Sequence, residues 1–101
     1  MKRVHPLNSN KILRVLEQHK PELQKLSVEK IGLFGSYLKK KHTQSSDLDF
    51  IVVFKDLTYD NYIELKFLLE KLFRRRVDLV IEQDLKPALA YVKEEALYAG
   101  V

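Results

Sequence analysis

A fold of the α/β (α+β) class, with a small mixed sheet and helices packed on one face, follows from three observations on this 101-residue chain. Short apolar runs rich in β-branched and aromatic residues, at 28–34, 50–54 and 77–81, have the length and composition of strands. Around them, apolar residues recur at helical spacing over 12–19, 62–73 and 87–98. The resulting order, helix, strand, strand, helix, strand, helix, leaves one sheet whose apolar face must be buried beneath helices.

Each element has its own justification. Asn8 or Ser9 can cap a first helix in which Ile12, Leu13, Leu16 and His19 form a stripe. Pro21 interrupts that helix; because proline is tolerated in a first turn, it starts a second short piece, or kinks one long helix, ending near Ser27. The strand 28–34 then runs into Gly35-Ser36, and the polar segment 39–46 returns the chain to the strand 50–54, which sets the Gly-Ser turn next to Asp47. Asp60 or Asn61 can cap the next helix, whose core face is Tyr62, Leu65, Leu69, Leu72 and Phe73. In the strand 77–81, Asp78 and Val80 share one face and Val77, Leu79 and Ile81 the other. A last helix over 87–98 packs through Leu89, Val92 and Ala96, with Tyr91 beside them.

The chemistry concentrates in 31–54. Asp47 and Asp49 lie two residues apart at the entry to an apolar strand, so they point to the same side with Cα atoms about 6–7 Å apart. Two anions held that close repel unless a cation or proton relieves them. Hard oxygen donors of this kind suit Mg²⁺ or Mn²⁺, ions that bring phosphate-bearing substrates with them. Asp78, inside a third apolar strand, is costly unless paired, hydrogen-bonded or metal-bound; Arg74, Arg75 and Arg76 just before it offer an ordinary ion pair as the alternative. Gly35 lets backbone approach a ligand closely. If a helix follows, Ser36 sits near its N-terminus, where free N–H groups favour an anion. Tyr37 is close enough to the turn to stack on a base, whereas His5, His19 and His42 lack metal-ligand spacing.

Gly35-Ser36, then ten residues, then Asp47-Leu48-Asp49 and an apolar strand, with Ser46 before the first aspartate and Val77-Asp78-Leu79-Val80 downstream, resembles the signature of the nucleotidyltransferases of the DNA polymerase beta superfamily. The nearest likeness is to the minimal nucleotidyltransferases of the MNT antitoxin group, and it extends over nearly the whole chain. One departure is Lys39-Lys40-Lys41, where that family often carries an Arg-Gly pair. The resemblance implies a metal-dependent nucleotidyltransferase in which Asp47 and Asp49 hold two Mg²⁺ ions, Asp78 completes one shell and takes the acceptor proton, and Gly35 and Ser36 hold phosphates. It also implies ATP, or another NTP, as donor and a tyrosine of a HEPN-type toxin as acceptor, within a toxin-antitoxin pair.

Length and composition fit one domain, 1–101, with 46% hydrophobic and 32% charged residues. The absence of cysteine excludes disulfides and thiolate-bound zinc, no apolar run reaches the length of a membrane span, and the N-terminus lacks a signal-peptide core, so a cytoplasmic location is expected. A net charge of +4, with clusters at Lys39–Lys41 and Arg74–Arg76, favours anionic partners. Two other readings compete: a non-catalytic antitoxin subunit acting by binding alone, and a small basic nucleic-acid-binding domain. The apolar tail 97–101, together with Phe67 and Leu68 off the main helical stripe, leaves surface for a partner or a homo-oligomer.

Overall fold

The Asn8 side chain accepts a hydrogen bond from the Lys11 N–H (2.9 Å) and so starts α1, Ser9–Gln18, whose Ile12 and Leu16 are buried. This is a computed structural model, and it describes residues 8–35, 47–89 and 91–100. Pro21 lies in the first turn of a separate helix, α2 (Lys20–Lys25), where its missing N–H costs nothing. His19 ends the first helix and bonds Glu22 (2.9 Å) instead of completing the apolar stripe. Ser27, at φ 64°, turns the chain into β1, Val28–Phe34.

The second strand, β2, covers Leu48–Phe54 and begins two residues ahead of the expected run. Helix α3, Tyr59–Phe73, is capped by Thr58, whose hydroxyl accepts from the Asn61 N–H (3.0 Å), rather than by Asp60 or Asn61. It ends at Arg74 in a left-handed conformation (φ 54°), with the Arg74 N–H donating to the Glu70 carbonyl (2.8 Å). Then follow β3, Val77–Ile81, two short 3₁₀ turns (Glu82–Asp84 and Pro87–Leu89), α4 (Tyr91–Glu95) and β4 (Leu97–Tyr98). The single helix expected over 87–98 is thus replaced by a turn, a short helix and an edge strand. Val92 is buried as expected, whereas Tyr91 is exposed.

The sheet is mixed, in the order β3-β2-β1-β4, with β1 antiparallel to both β2 and β4 and β2 parallel to β3. Its α1–α3 face carries the core: Ile31 and Leu33 of β1, Leu48, Phe50, Val52 and Phe54 of β2, and Val77 and Leu79 of β3 pack with Ile12, Leu16, Leu23, Leu65, Leu69 and Phe73. Gly32 and its register partner Ile51 face the other way. There the Tyr98 ring lies against Gly32, so close that a Cβ would come to 2.9 Å from it. Ile51 is nonetheless fully buried. The segment that runs from β3 on one edge to β4 on the other is closed on itself by Lys93 and Glu82 (3.9 Å).

Core and surface positions of α3 should separate cleanly. Leu69 is 0% exposed and Phe67 is 63% exposed. Leu69→Ala is expected to lower stability by about 2–5 kcal/mol, and Phe67→Ala by less than about 0.5 kcal/mol. Urea unfolding of the two variants checks the difference.

Candidate active site

Because β1 is antiparallel to β2 and β2 is parallel to β3, the C-terminal end of β1 and the N-terminal ends of β2 and β3 meet at one end of the sheet. There Phe34 is the register partner of Asp49, and Asp49 of Asp78, so the two aspartates are neighbours on adjacent strands. Neighbouring strands lie about 4.8 Å apart. Asp49 is half-buried, and Asp47 and Asp78 are exposed.

Gly35 follows β1 directly at φ 81°, a conformation that residues with a side chain rarely adopt. Its missing Cβ also matters sterically: a carbon there would collide with the Asp49 carboxylate. The turn therefore packs backbone against Asp49. Ser36, the other residue expected to hold phosphate, lies outside the described residues, as do Tyr37, Lys39–Lys41 and Ser46.

Two hydrogen bonds hold the strand entries in place. The Leu48 N–H donates to the Arg76 carbonyl (3.0 Å), and the Val77 N–H donates to the Glu70 carboxylate (3.1 Å). Glu70, on the last turn of α3, thus anchors the residue next to Asp78. Sequence reasoning misses it, since an acidic residue on a helix surface carries no sign of the strand N–H it will meet.

Asp78 was open to an ordinary ion pair with the arginines before it. Among the described residues neither Asp47 nor Asp78 forms one. Nor do three acidic or histidine side chains of the described residues gather into a ready-made metal cage. The donor set fits Mg²⁺ or Mn²⁺ all the same, because such an ion keeps several waters and takes one or two carboxylates together with substrate phosphate oxygens.

A concavity of about 460 Å³ lies toward the other end of β3 and is lined by Leu57, Thr58, Tyr59, Tyr62, Leu79, Ile81 and Asp84. It holds none of the three aspartates. No helix among the described residues is long and apolar enough to cross a membrane.

Comparison with known proteins matches residues 16–101 to the nucleotidyltransferase domain family. The chain is 38% identical over 95 residues to the protein adenylyltransferase MntA of Thermococcus cleftensis, covering 91% of this chain and 96% of that one. A solved structure described as a minimal nucleotidyltransferase superposes with a TM-score of 0.78 at 28% identity, covering 93% of this chain and 98% of that one. A toxin-antitoxin crystal structure with AMP-PNP superposes with a TM-score of 0.65 at 29% identity, covering 91% of this chain and 72% of the other. The family generally works with divalent metal ions. Match, identity and superposition agree over nearly the whole length, and the chain belongs to the nucleotidyltransferase domain family, as one of its minimal nucleotidyltransferases.

Proposed function

We propose that the chain is a protein adenylyltransferase and the antitoxin of a toxin-antitoxin pair, transferring AMP from ATP to a tyrosine of a HEPN-type partner toxin. One observation carries the reading: the Gly35 turn that ends β1 packs on Asp49 of β2, and Asp49 is the register partner of Asp78 on β3. The 38% identity to a protein adenylyltransferase supports the class of acceptor. The fold shared with a toxin-antitoxin complex holding AMP-PNP supports the donor and the partner.

In this reaction the tyrosine oxygen forms a bond to the α-phosphorus while the bond from that phosphorus to the bridging oxygen of the β-phosphate breaks. Pyrophosphate departs with the electron pair, and the phenolic proton passes to the exposed Asp78 carboxylate on the edge strand β3. Gly35 offers close backbone approach to the β- and γ-phosphates, with Ser36 beside it in the chain. Two Mg²⁺ ions, held by Asp47 and Asp49 with Asp78 completing one shell, would supply charge stabilisation for the attacking and leaving oxygens. Residues 1–101 act as one domain in the cytoplasm, with the acceptor positioned by the partner.

Mg²⁺ with ATP is expected to stabilise the folded protein, because it relieves carboxylate repulsion and binds only the native site. At a hundredfold excess over Kd the gain is about 2.7 kcal/mol; a melting temperature that ignores both together would refute the site.

Asp47→Asn and Asp49→Asn remove ionic ligands with little change in volume, so transfer should vanish while the metal-free melting temperature holds or rises. Gly35→Ala should abolish transfer and also lower stability by about 1–2 kcal/mol, from the left-handed backbone alone. Transfer assays and thermal melts of the three variants check both effects.

Co-expression with the adjacent open reading frame, followed by gel filtration and intact mass, tests the acceptor. A stable complex whose partner gains one or more AMP units is the expected result, and a chain that modifies only a free metabolite is the contrary one.

A further inference from the structure

We propose that Arg76 contacts the α-phosphate of the nucleotide from the β3 side of the site, a proposal that rests on the nucleotidyl-transfer reading above. Arg76 immediately precedes β3, and its carbonyl accepts from the Leu48 N–H (3.0 Å). This bond sets it beside Asp47, one step ahead of the rung that pairs Leu48 with Val77. Main-chain bonding thus fixes where the arginine starts, and its side chain is exposed.

The charges around it are arranged unusually. An arginine set among aspartates ordinarily closes a two-point pair with one of them. Among the described residues Arg76 makes no ion pair or hydrogen bond through its guanidinium, although Asp47 is its neighbour across the strands and Asp78 is two residues on. Opposite charges are therefore left side by side without neutralising one another. A ligand that brings cations to the aspartates and anionic oxygens to the arginine satisfies all of them at once. A metal-bound phosphate is such a ligand.

Position in the sheet selects the phosphate. Gly35 is at the end of β1, whereas Arg76 is at the start of β3, with β2 between them. With the β- and γ-phosphates at the Gly35 turn, the α-phosphate extends across β2 toward β3, where Asp78 receives the acceptor proton. The planar fork of N–H donors on Arg76 suits two non-bridging oxygens. As the new oxygen–phosphorus bond forms and the bond to pyrophosphate breaks, a guanidinium already in place stabilises charge on those oxygens.

The test uses Arg76→Gln and Arg76→Lys in the full chain, with binding of ATP, AMP and adenosine measured by calorimetry in Mg²⁺ and transfer to the co-purified partner followed by intact mass. Arg76→Gln is expected to weaken ATP and AMP binding by about tenfold or more. Adenosine binding should be unchanged, and kcat should fall by about a hundredfold. Arg76→Lys should recover part of both losses. Wild-type AMP binding and transfer in Arg76→Gln overturn the proposal and leave the transfer reading standing, and an equal loss of adenosine binding overturns it too, since it marks a structural role. If the wild type transfers no AMP, the transfer reading fails and binding alone decides: selective loss of AMP affinity upholds the contact, whereas unchanged or absent AMP binding overturns it. Should Arg76→Gln melt early, the same comparison is made with Arg76→Lys, which keeps the charge and loses the fork.

Discussion

Sliding β2 by one residue against its neighbours would turn Phe50 and Val52 toward the second face and drive Asp49 into the core. Register is the constraint on which the rest of this molecule depends, because side chains along a strand alternate faces with a period of two. Leu48, Phe50, Val52 and Phe54 are all buried on the α1–α3 face, so the apolar pattern enforces one alignment. That alignment also brings Asp49 to Asp78 and sets the Gly35 turn against it. Core packing and site assembly are therefore the same event.

Anionic groups at a sheet end weaken a fold unless something holds the backbone beneath them. Phe50, the residue after Asp49, is fully buried, and its ring packs against Phe73 at 5.9 Å between centroids. The Glu70 carboxylate bonds the Val77 N–H, and the Arg76 carbonyl receives the Leu48 N–H. These contacts are made below or beside the aspartates, not through the carboxylates of Asp47 and Asp78. The site can therefore keep those two charges available to a ligand while its geometry is set by packing and main-chain hydrogen bonds.

The C-terminal segment closes the face that α1–α3 leave open. Tyr98 lies on Gly32 with the Lys30 ammonium 5.1 Å from its ring centroid, and burial together with the Glu82 carboxylate pushes its phenol above the ordinary tyrosine range. The Ala99 N–H donates to the Ile31 carbonyl (2.9 Å) and the Gly100 N–H to the Glu17 carboxylate (3.1 Å), which ties the tail to β1 and to α1. In this way the segment after β3 joins both edges of the sheet.

What could be read from the sequence was whatever a local pattern encodes. Alternating and β-branched runs marked β1 and β3 at their observed bounds, the stripe of Leu65, Leu69 and Phe73 marked the buried face of α3, and the two-residue spacing of Asp47 and Asp49 marked the candidate site. Thr58, Asp60 and Asn61 are all competent caps, so choosing Thr58 needed the helix's actual start. Leu89, Val92 and Ala96 fall at helical spacing, and nothing local reveals that Leu97 and Tyr98 will instead pair with Leu33 and Gly32. The contacts of Gly35 with Asp49 and of Glu70 with Val77 were equally hidden. Periodicity is a property of neighbouring residues and survives in the sequence, whereas register, edge pairing and cross-element hydrogen bonds belong to pairs of distant segments and exist only once both have folded together.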